Sequence, residues 1–393
     1  MTHHHSESNL FDSMMQLLSE HGLDYMGESI RLLLNEAMKI ERAKVLAADP
    51  YQRSPERRGY ANGFKPKSVQ TRLGEITCAV PQVRGEVAFY PSALERGVRS
   101  ERALKLAVAE MYVQGVSTRK VTAVMQQLCG LEVTSMDVSR AAALLDEQLA
   151  AWRTRPVGET PYLILDARFE KVRHGGVVRS CALLIAVGVS ADGRRSILGV
   201  SVSLSEAEVD WREFLASLQE RGLYGVRLIT SDDHAGLQAA REARLPGVLW
   251  QRCQFHLQQN AQAYVPRTTL RPEVASELRA IFDSPDRAEA DRRLQLAVQK
   301  YEKRAPQLAR WMEENIPDGL TVLALPAAHR KRLRTTNLLE RLNKEVKRRT
   351  RVATLFPHEA SLLRLASAVL MEMSEEWETQ GVYLRMENDQ PET

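Results

Sequence analysis

The sequence predicts an α/β domain divided by an all-α insertion and preceded by a mostly helical N-terminal part. Three observations predict it. Between 158 and 260, short apolar and alternating runs follow in the order strand, strand, strand, helix, strand, helix, strand. Residues 261–330 are charged, helical in pattern and poor in strand signals. Residues 96–152 break into three short amphipathic stretches at Gly115 and Gly130. A length of 393 residues allows two to four domains. With 44% hydrophobic and 26% charged residues the chain is ordinary globular material, and four cysteines are too few for a disulfide-stapled scaffold. The longest uncharged apolar stretch, Cys181–Val189, is nine residues, against the roughly 20 that a spanning helix requires. No membrane partner and a reducing, cytoplasmic location are expected. The opening MTHHHSESN lacks the apolar core of a signal peptide, and His3, His4 and His5 are assigned no role.

Residues 10–47 read as helix, with Ile30, Leu33, Ala37 and Ile40 at spacings of three, four and three. Such a stripe serves equally as a subunit contact or as packing within the chain, so 1–50 is assigned as helical and a candidate dimerisation region. From 51 to 95 the texture turns to Gly, Pro and short alternating runs, and Ser68–Leu73, Gly74 and Ile76–Val80 predict a small basic β-hairpin element. In 96–152, Leu104, Val108 and Met111 form a first stripe. Ser117 caps a second with Val121, Val124 and Leu128, and Thr134 or Ser135 caps a third with Val138, Ala142 and Leu145. The spacing suits a helix-turn-helix whose later helix presents Ser139 and Arg140 to a DNA groove. It suits a plain three-helix bundle equally well.

Beyond Gly158, strands are read at Tyr162–Leu165, Val177–Val189 and Ser196–Leu204, then a helix at Val209–Arg221 with Trp211, Phe214, Leu215 and Leu218 on one face. Strand Val226–Thr230, helix Ala235–Arg244 and strand Gly247–Trp250 follow. This order is that of a ribonuclease-H-like fold, placed at 158–260 and 331–378 on either side of the α-helical insertion 261–330. An acidic flexible tail is expected at 379–393.

A nuclease or strand-transfer site on that fold needs three carboxylates converging on two divalent ions, one beside the attacking oxygen and one beside the leaving oxygen. Mg²⁺ suits such oxygen ligands, and Mn²⁺ substitutes for it. Asp166 closes the first strand, Asp232 closes the fourth, and Glu340 lies on the helix begun by Thr335-Thr336-Asn337. Asp233 competes with Asp232, and strand parity alone does not choose between them.

The net charge of +4 hides a division. Ten basic residues against two acidic ones make 321–351 a local +8, six against one make 51–73 a local +5, and the rest of the chain is −9. Clustered cations release counterions from phosphates, whereas a high average charge does not. Candidate DNA contacts are Arg57, Arg58, Lys65 and Lys67; Arg119, Lys120, Ser139 and Arg140; and Arg334, Asn337, Arg341, Lys344, Lys347, Arg348 and Arg351. Glu340, Lys344, Lys347 and Arg351 share one helix face at spacings of four, three and four. Cys253 and His256 follow the fifth strand as a Cys-x-x-His pair with no second pair at zinc-ligand spacing. They are read as a local support for Asp232.

Several stretches resemble the Mutator-like transposases of bacterial insertion sequences: Arg58-Gly59-Tyr60-Ala61-Asn62-Gly63, Val83-Arg84 with Tyr90-Pro91, Gly115 to Val121, Ser231-Asp232, Trp250 to His256, and Thr335 to Asn343. The resemblance covers roughly 55–375. It implies a DDE-type transposase with Asp166, Asp232 and Glu340 as the acidic triad holding two Mg²⁺ ions, and Cys253 with His256 as the signature pair. Trp211 is grouped with that pair as structural. Double-stranded DNA, as terminal inverted repeats and target, is the implied partner, with a homodimer or larger assembly to join two ends. A non-catalytic DNA-binding descendant and a metal-dependent nuclease without strand transfer are the alternative readings.

Overall fold

The computed structural model describes residues 3–85, 87–94, 100–351 and 355–386, with side chains from Leu10 onward. The side chains of His3, His4 and His5, and residues 387–393 of the expected tail, lie outside the described residues. The chain divides into two compact units, Met1–Leu144 and Leu145–Thr393.

In the first unit, α1 (His3–His21) and α2 (Met26–Leu46) stand where one helix was read over 10–47, because Gly22 takes φ +64° and turns the chain through a short 3-10 segment. α2 lays Ile30, Leu34 and Met38 on the hairpin of β1 (Tyr60–Thr71) and β2 (Gly74–Arg84), whose Ile76, Cys78 and Val80 are buried beneath it. The expected stripe therefore splits: Ile30 packs inward while Leu33 and Ile40 are exposed. The hairpin starts earlier than read, since a bulge between Ala61 and Phe64 carries the ladder back to Tyr60. Then α3 (Arg102–Val113), α4 (Thr118–Cys129) and α5 (Ser135–Ala142) pack around Leu104, Val108, Val121 and Val138. Ser117 caps α4, and Thr134 rather than Ser135 caps α5 in a reciprocal box with Asp137. The second helix buries Val121 and Met125 and exposes Leu128, so its inner face runs at a spacing of four.

The second unit begins with α6 (Asp146–Thr154), ahead of the boundary at 152 read from the sequence. Its Asp146 and Arg153 are bonded to Arg364 and Ser367 of the last helix. β3 (Tyr162–His174), β4 (Val177–Val189) and β5 (Arg195–Ser203) form an antiparallel meander. α7 (Glu208–Glu220) leads to β6 (Leu228–Ser231), and α8 (Ala235–Arg244) leads to β7 (Leu249–Arg252). Both later strands run parallel to β3, giving the order β5-β4-β3-β6-β7. The continuous apolar run Cys181–Val189 of β4 is buried throughout, as a strand covered on both faces requires.

α7 and α8 cover one face of the sheet, where Trp211, Phe214, Leu218 and Leu237 meet Leu163, Leu165 and Ile229. After α9 (Gln254–Ala261), the helices α10 (Arg271–Phe282), α11 (Arg287–Glu302) and α12 (Pro306–Asn315) enclose a core of their own. The chain then returns to the other face of the sheet as α13 (Ala327–Leu333), α14 (Asn337–Thr350) and α15 (Glu359–Thr379). There Tyr162 meets His329 of α13 at 3.0 Å, and Thr230 donates to the Leu333 carbonyl at 2.7 Å. The expected flexible tail is corrected over its first residues. The backbone amides of Tyr383 and Leu384 both donate to the Gly193 carbonyl at 2.9 Å, and Leu384 is buried beside Tyr162, Val189 and Leu228. Among the described residues no helix is long and apolar enough to cross a membrane.

Candidate active site

Strand register sets the first two carboxylates. β3 and β6 pair in parallel through Tyr162–Leu228, Leu163–Ile229 and Ile164–Thr230. Two residues further along that register, Asp166 comes level with Asp232. Side chains alternate across a strand, and Tyr162, Leu228 and Thr230 all face α13 and its neighbours. Asp166 and Asp232 share that parity. The competing Asp233 is occupied elsewhere: it accepts from Arg252 at 2.8 Å and from Gln238.

α14 approaches Asp166 directly, since Asn343 Nδ2 donates to Asp166 Oδ2 at 2.8 Å. Glu340 lies three residues before Asn343, one turn back on the same face. The turn that starts this helix is tied to the ends of β6 and β7. Cys253 donates its amide to the Ser231 carbonyl at 2.8 Å, Gln254 donates to the Arg334 carbonyl at 3.0 Å, and both the amide and hydroxyl of Thr336 donate to Cys253 Sγ at 3.3 Å. The Cys-x-x-His and Thr-Thr-Asn-x-x-Glu stretches thus meet at one junction, with a sulfur as its acceptor.

Burial pushes the Asp166 carboxyl up to about 6; Asp232 pushes the same way, while His256, the Ala167 amide and Asn343 pull down. Hydrogen bonding with Cys253 raises His256 to about 9 against the effect of burial, and the charges of Asp232 and Asp166 add to the rise. At neutral pH the imidazole is therefore a cation, 3.7 Å from Asp232 Oδ1. Burial alone would raise the Cys253 thiol, but bonds with His256 and Thr336 outweigh it and hold the thiol below its ordinary value. Two buried polar atoms here have no hydrogen-bond partner, His256 Nδ1 and Asn343 Oδ1. Asp232 and His256 both stand close enough to Asp166 to act on its charge. Among the described residues, no group of three or more His, Cys, Asp and Glu side chains is close enough to hold a metal ion, so Glu340 does not complete a closed carboxylate cluster.

Sequence reasoning did not find Asn343, Thr336 or Glu206. Glu206, in the loop after β5, stands 3.6 Å from His234, and burial pushes its carboxyl up. The β5–α7 loop and the start of α8 touch so closely that a Cβ on Gly236 would lie 2.6 Å from the Glu206 carbonyl oxygen. Gly236→Ala must therefore move backbone four residues from Asp232. It is expected to cost about 1–3 kcal/mol, read as a lowered urea midpoint.

The basic candidates divide by partner. On α14, Arg341, Lys344 and Lys347 are exposed, as are Asn337 at its start and Arg351 just past its end. Arg348 is held by Glu345 at 2.7 Å and Arg334 is paired with Asp283, while Arg349, counted in the basic block, is buried against Glu345 and Glu372. In the first unit, Arg58, Lys65, Arg119, Lys120 and Ser139 are exposed. Arg140 pairs with Asp137 at 3.7 Å, Lys67 donates to Tyr90, and Arg57 donates to the Asp49 and Gln52 carbonyls. Trp211 is fully buried beside Phe214.

The family described as Transposase, Mutator family matches residues 1–380. The transposase for insertion sequence element IS406 of Burkholderia multivorans is 59% identical over 380 residues, covering 96% of this chain and 98% of the relative. The transposase for ISRM5 of Rhizobium meliloti is 44% identical over 93% of this chain and 92% of its own. The transposase for IS256 in transposon Tn4001 of Staphylococcus aureus is 35% identical over 88% of this chain and 89% of its own. Among solved structures, a simian T-cell lymphotropic virus intasome complex aligns with 58% of this chain and 74% of that chain at 12% identity and a TM-score of 0.17, too low to support a comparison of folds. With a family match running almost end to end and relatives this similar over nearly their whole length, the chain belongs to the Mutator family of transposases.

Proposed function

We propose that this transposase works by DDE chemistry on a ribonuclease-H-like domain, with Asp166, Asp232 and Glu340 as its acidic triad. The observation that carries the reading is the register that sets Asp166 level with Asp232, with the helix of Glu340 bonded to Asp166 through Asn343. The order β5-β4-β3-β6-β7, with three antiparallel strands and two parallel ones, supports the fold assignment. The helices between β7 and α13 would be its insertion.

The oxygen donors are of the kind a divalent cation takes, although among the described residues the three carboxylates are not gathered closely enough to hold one. Asp232 adds to the cost of ionising the largely buried Asp166, and a carboxamide oxygen beside Asp166 lacks a donor. Oxygen ligands of this kind suit Mg²⁺ or Mn²⁺. Asp166, Asp232 and Glu340 would hold two ions, which supply charge stabilisation at the attacking and leaving oxygens of phosphoryl displacement. Protonated His256 balances the two aspartates before a cation arrives. Lys344, Lys347 and Arg351, exposed along the helix of Glu340, hold backbone phosphates. The cut leaves a 3′-hydroxyl on the element's end. That hydroxyl attacks a target phosphodiester, forming the new P–O bond as the target's own 3′-oxygen leaves. The first unit, with Arg58, Lys65, Arg119 and Lys120 exposed, recognises the terminal inverted repeats. Two ends must be held at once, so a dimer or larger assembly is required.

The test uses a duplex carrying the element's end, in Mg²⁺. Wild type is expected to cut it and to join pre-cut ends to target DNA, and Asp232→Asn and Glu340→Gln are expected to do neither. Cutting by both variants at the wild-type rate would refute the triad. Cutting without joining by wild type would make the protein a nuclease, and binding without either would make it a DNA-binding descendant.

A further inference from the structure

Asn343 joins the helix of Glu340 to Asp166, and only half of its amide is used. Its Nδ2 donates to Asp166 Oδ2 at 2.8 Å, while its Oδ1 is buried without a donor. An unpaired buried carbonyl oxygen costs about 1–3 kcal/mol, so an amide is not kept at this position for stability. On the strand side Asp233 is held by Arg252 and Gln238 and Cys253 by Thr336, while His256 Nδ1, like Asn343 Oδ1, is buried without a partner. Leu339, Leu342 and Val346 already anchor α14 through its apolar face. Packing therefore does not require an amide at 343.

The geometry points to Asn343 as a positioning residue of the cutting site: its N–H fixes the orientation of Asp166 for cutting and joining alike. The inference rests on the triad reading above. Carboxylates that ligate metals are held by hydrogen bonds of this kind, whose loss typically lowers metal affinity or activity by about 10–100-fold.

Asn343→Leu keeps the branched shape and removes both polar atoms; Asn343→Ala removes the branch as well. Four readouts separate positioning from shape: Mn²⁺ affinity of the metal-free protein by electron paramagnetic resonance, kcat and KM on uncut ends, the joining rate of pre-cut ends, and the urea midpoint. Both variants are expected to bind Mn²⁺ about tenfold more weakly and to lose about 10–100-fold in kcat for cutting and joining alike. KM for end DNA should stay within about twofold, and Asn343→Leu should keep the wild-type urea midpoint. Loss of cutting alone or of joining alone would overturn it, because Asp166 serves both steps. Wild-type Mn²⁺ affinity and kcat in Asn343→Leu would overturn the inference. Asp166→Asn, run alongside, distinguishes the two failures: if it too cuts like wild type, the triad reading falls rather than the role of Asn343.

Discussion

Asp166→Asn is expected to abolish DNA cutting while making the second unit more stable. Loss of one carboxylate from a metal site removes several kcal/mol of transition-state stabilisation, roughly a 10³-fold or greater fall in rate. The stability change has the opposite sign because of where the charge lies. Burial lifts the Asp166 carboxyl from its ordinary 3.8 to about 6. A folded carboxyl that holds its proton more tightly than the unfolded one costs stability wherever it is ionised, hence above about pH 6. The cost shrinks as pH falls through 6 and is gone below about 4, where both states are protonated. Asp166 keeps some exposed surface, so the gain in Asp166→Asn should be about 1–2 kcal/mol at pH 8. It should be absent at pH 4, as read from urea midpoints at the two pH values. A variant less stable than wild type at pH 8 would mean that the folded protein does not penalise this charge.

His256→Ala is expected to have the second largest effect. The protonated ring stands 3.7 Å from Asp232 and contributes to lowering Asp166. Without it, Asp232 loses the cation that faces it, Asp166 loses a charge that pulls its carboxyl down, and the Cys253 sulfur loses one of its partners. Cutting should fall by about 10–100-fold at saturating Mg²⁺, the range for lost outer partners of metal ligands. Binding of end DNA should be unchanged in a gel-shift titration. Cys253→Ser should do less harm, because a hydroxyl oxygen still accepts from Thr336. Equal losses in the two variants would mean that the junction matters only as packing.

The elements closest to their sequence reading are those whose residues leave one solution. The apolar run at Val177–Val189 has the bounds of β4, and Gly115, Ser117, Gly130 and Thr134 punctuate α3, α4 and α5 as expected. Misread edges have local causes: a bulge at Ala61–Phe64 lengthens the hairpin, and Gly22 breaks the first helix. The docking of 380–386 depends on Gly193, about 190 residues earlier in the chain, which no local pattern reveals. The ambiguity between Asp232 and Asp233 has the same origin. Parity within one strand leaves it open, whereas the Tyr162–Leu228 pairing and the partner that Arg252 gives Asp233 distinguish the two. Asn343 stands in the Thr335–Asn343 stretch, but its bond to Asp166 spans 177 positions. Charge counting located the basic helix yet overstated its free charge, because Arg334, Arg348 and Arg349 are spent on Asp283, Glu345 and Glu372.

The central claim is that residues on β3, after β6 and on α14 serve one metal site. Iron-directed backbone scission tests it most directly. With Fe²⁺ in place of Mg²⁺, ascorbate and peroxide generate radicals that cut the chain next to the bound metal. The account predicts three sets of fragments, ending near Asp166, Asp232 and Glu340, all suppressed by excess Mg²⁺ and all lost in Asp166→Asn. Scission near Asp166 and Asp232 with none between 337 and 343 would contradict it, and so would a pattern that survives Asp166→Asn.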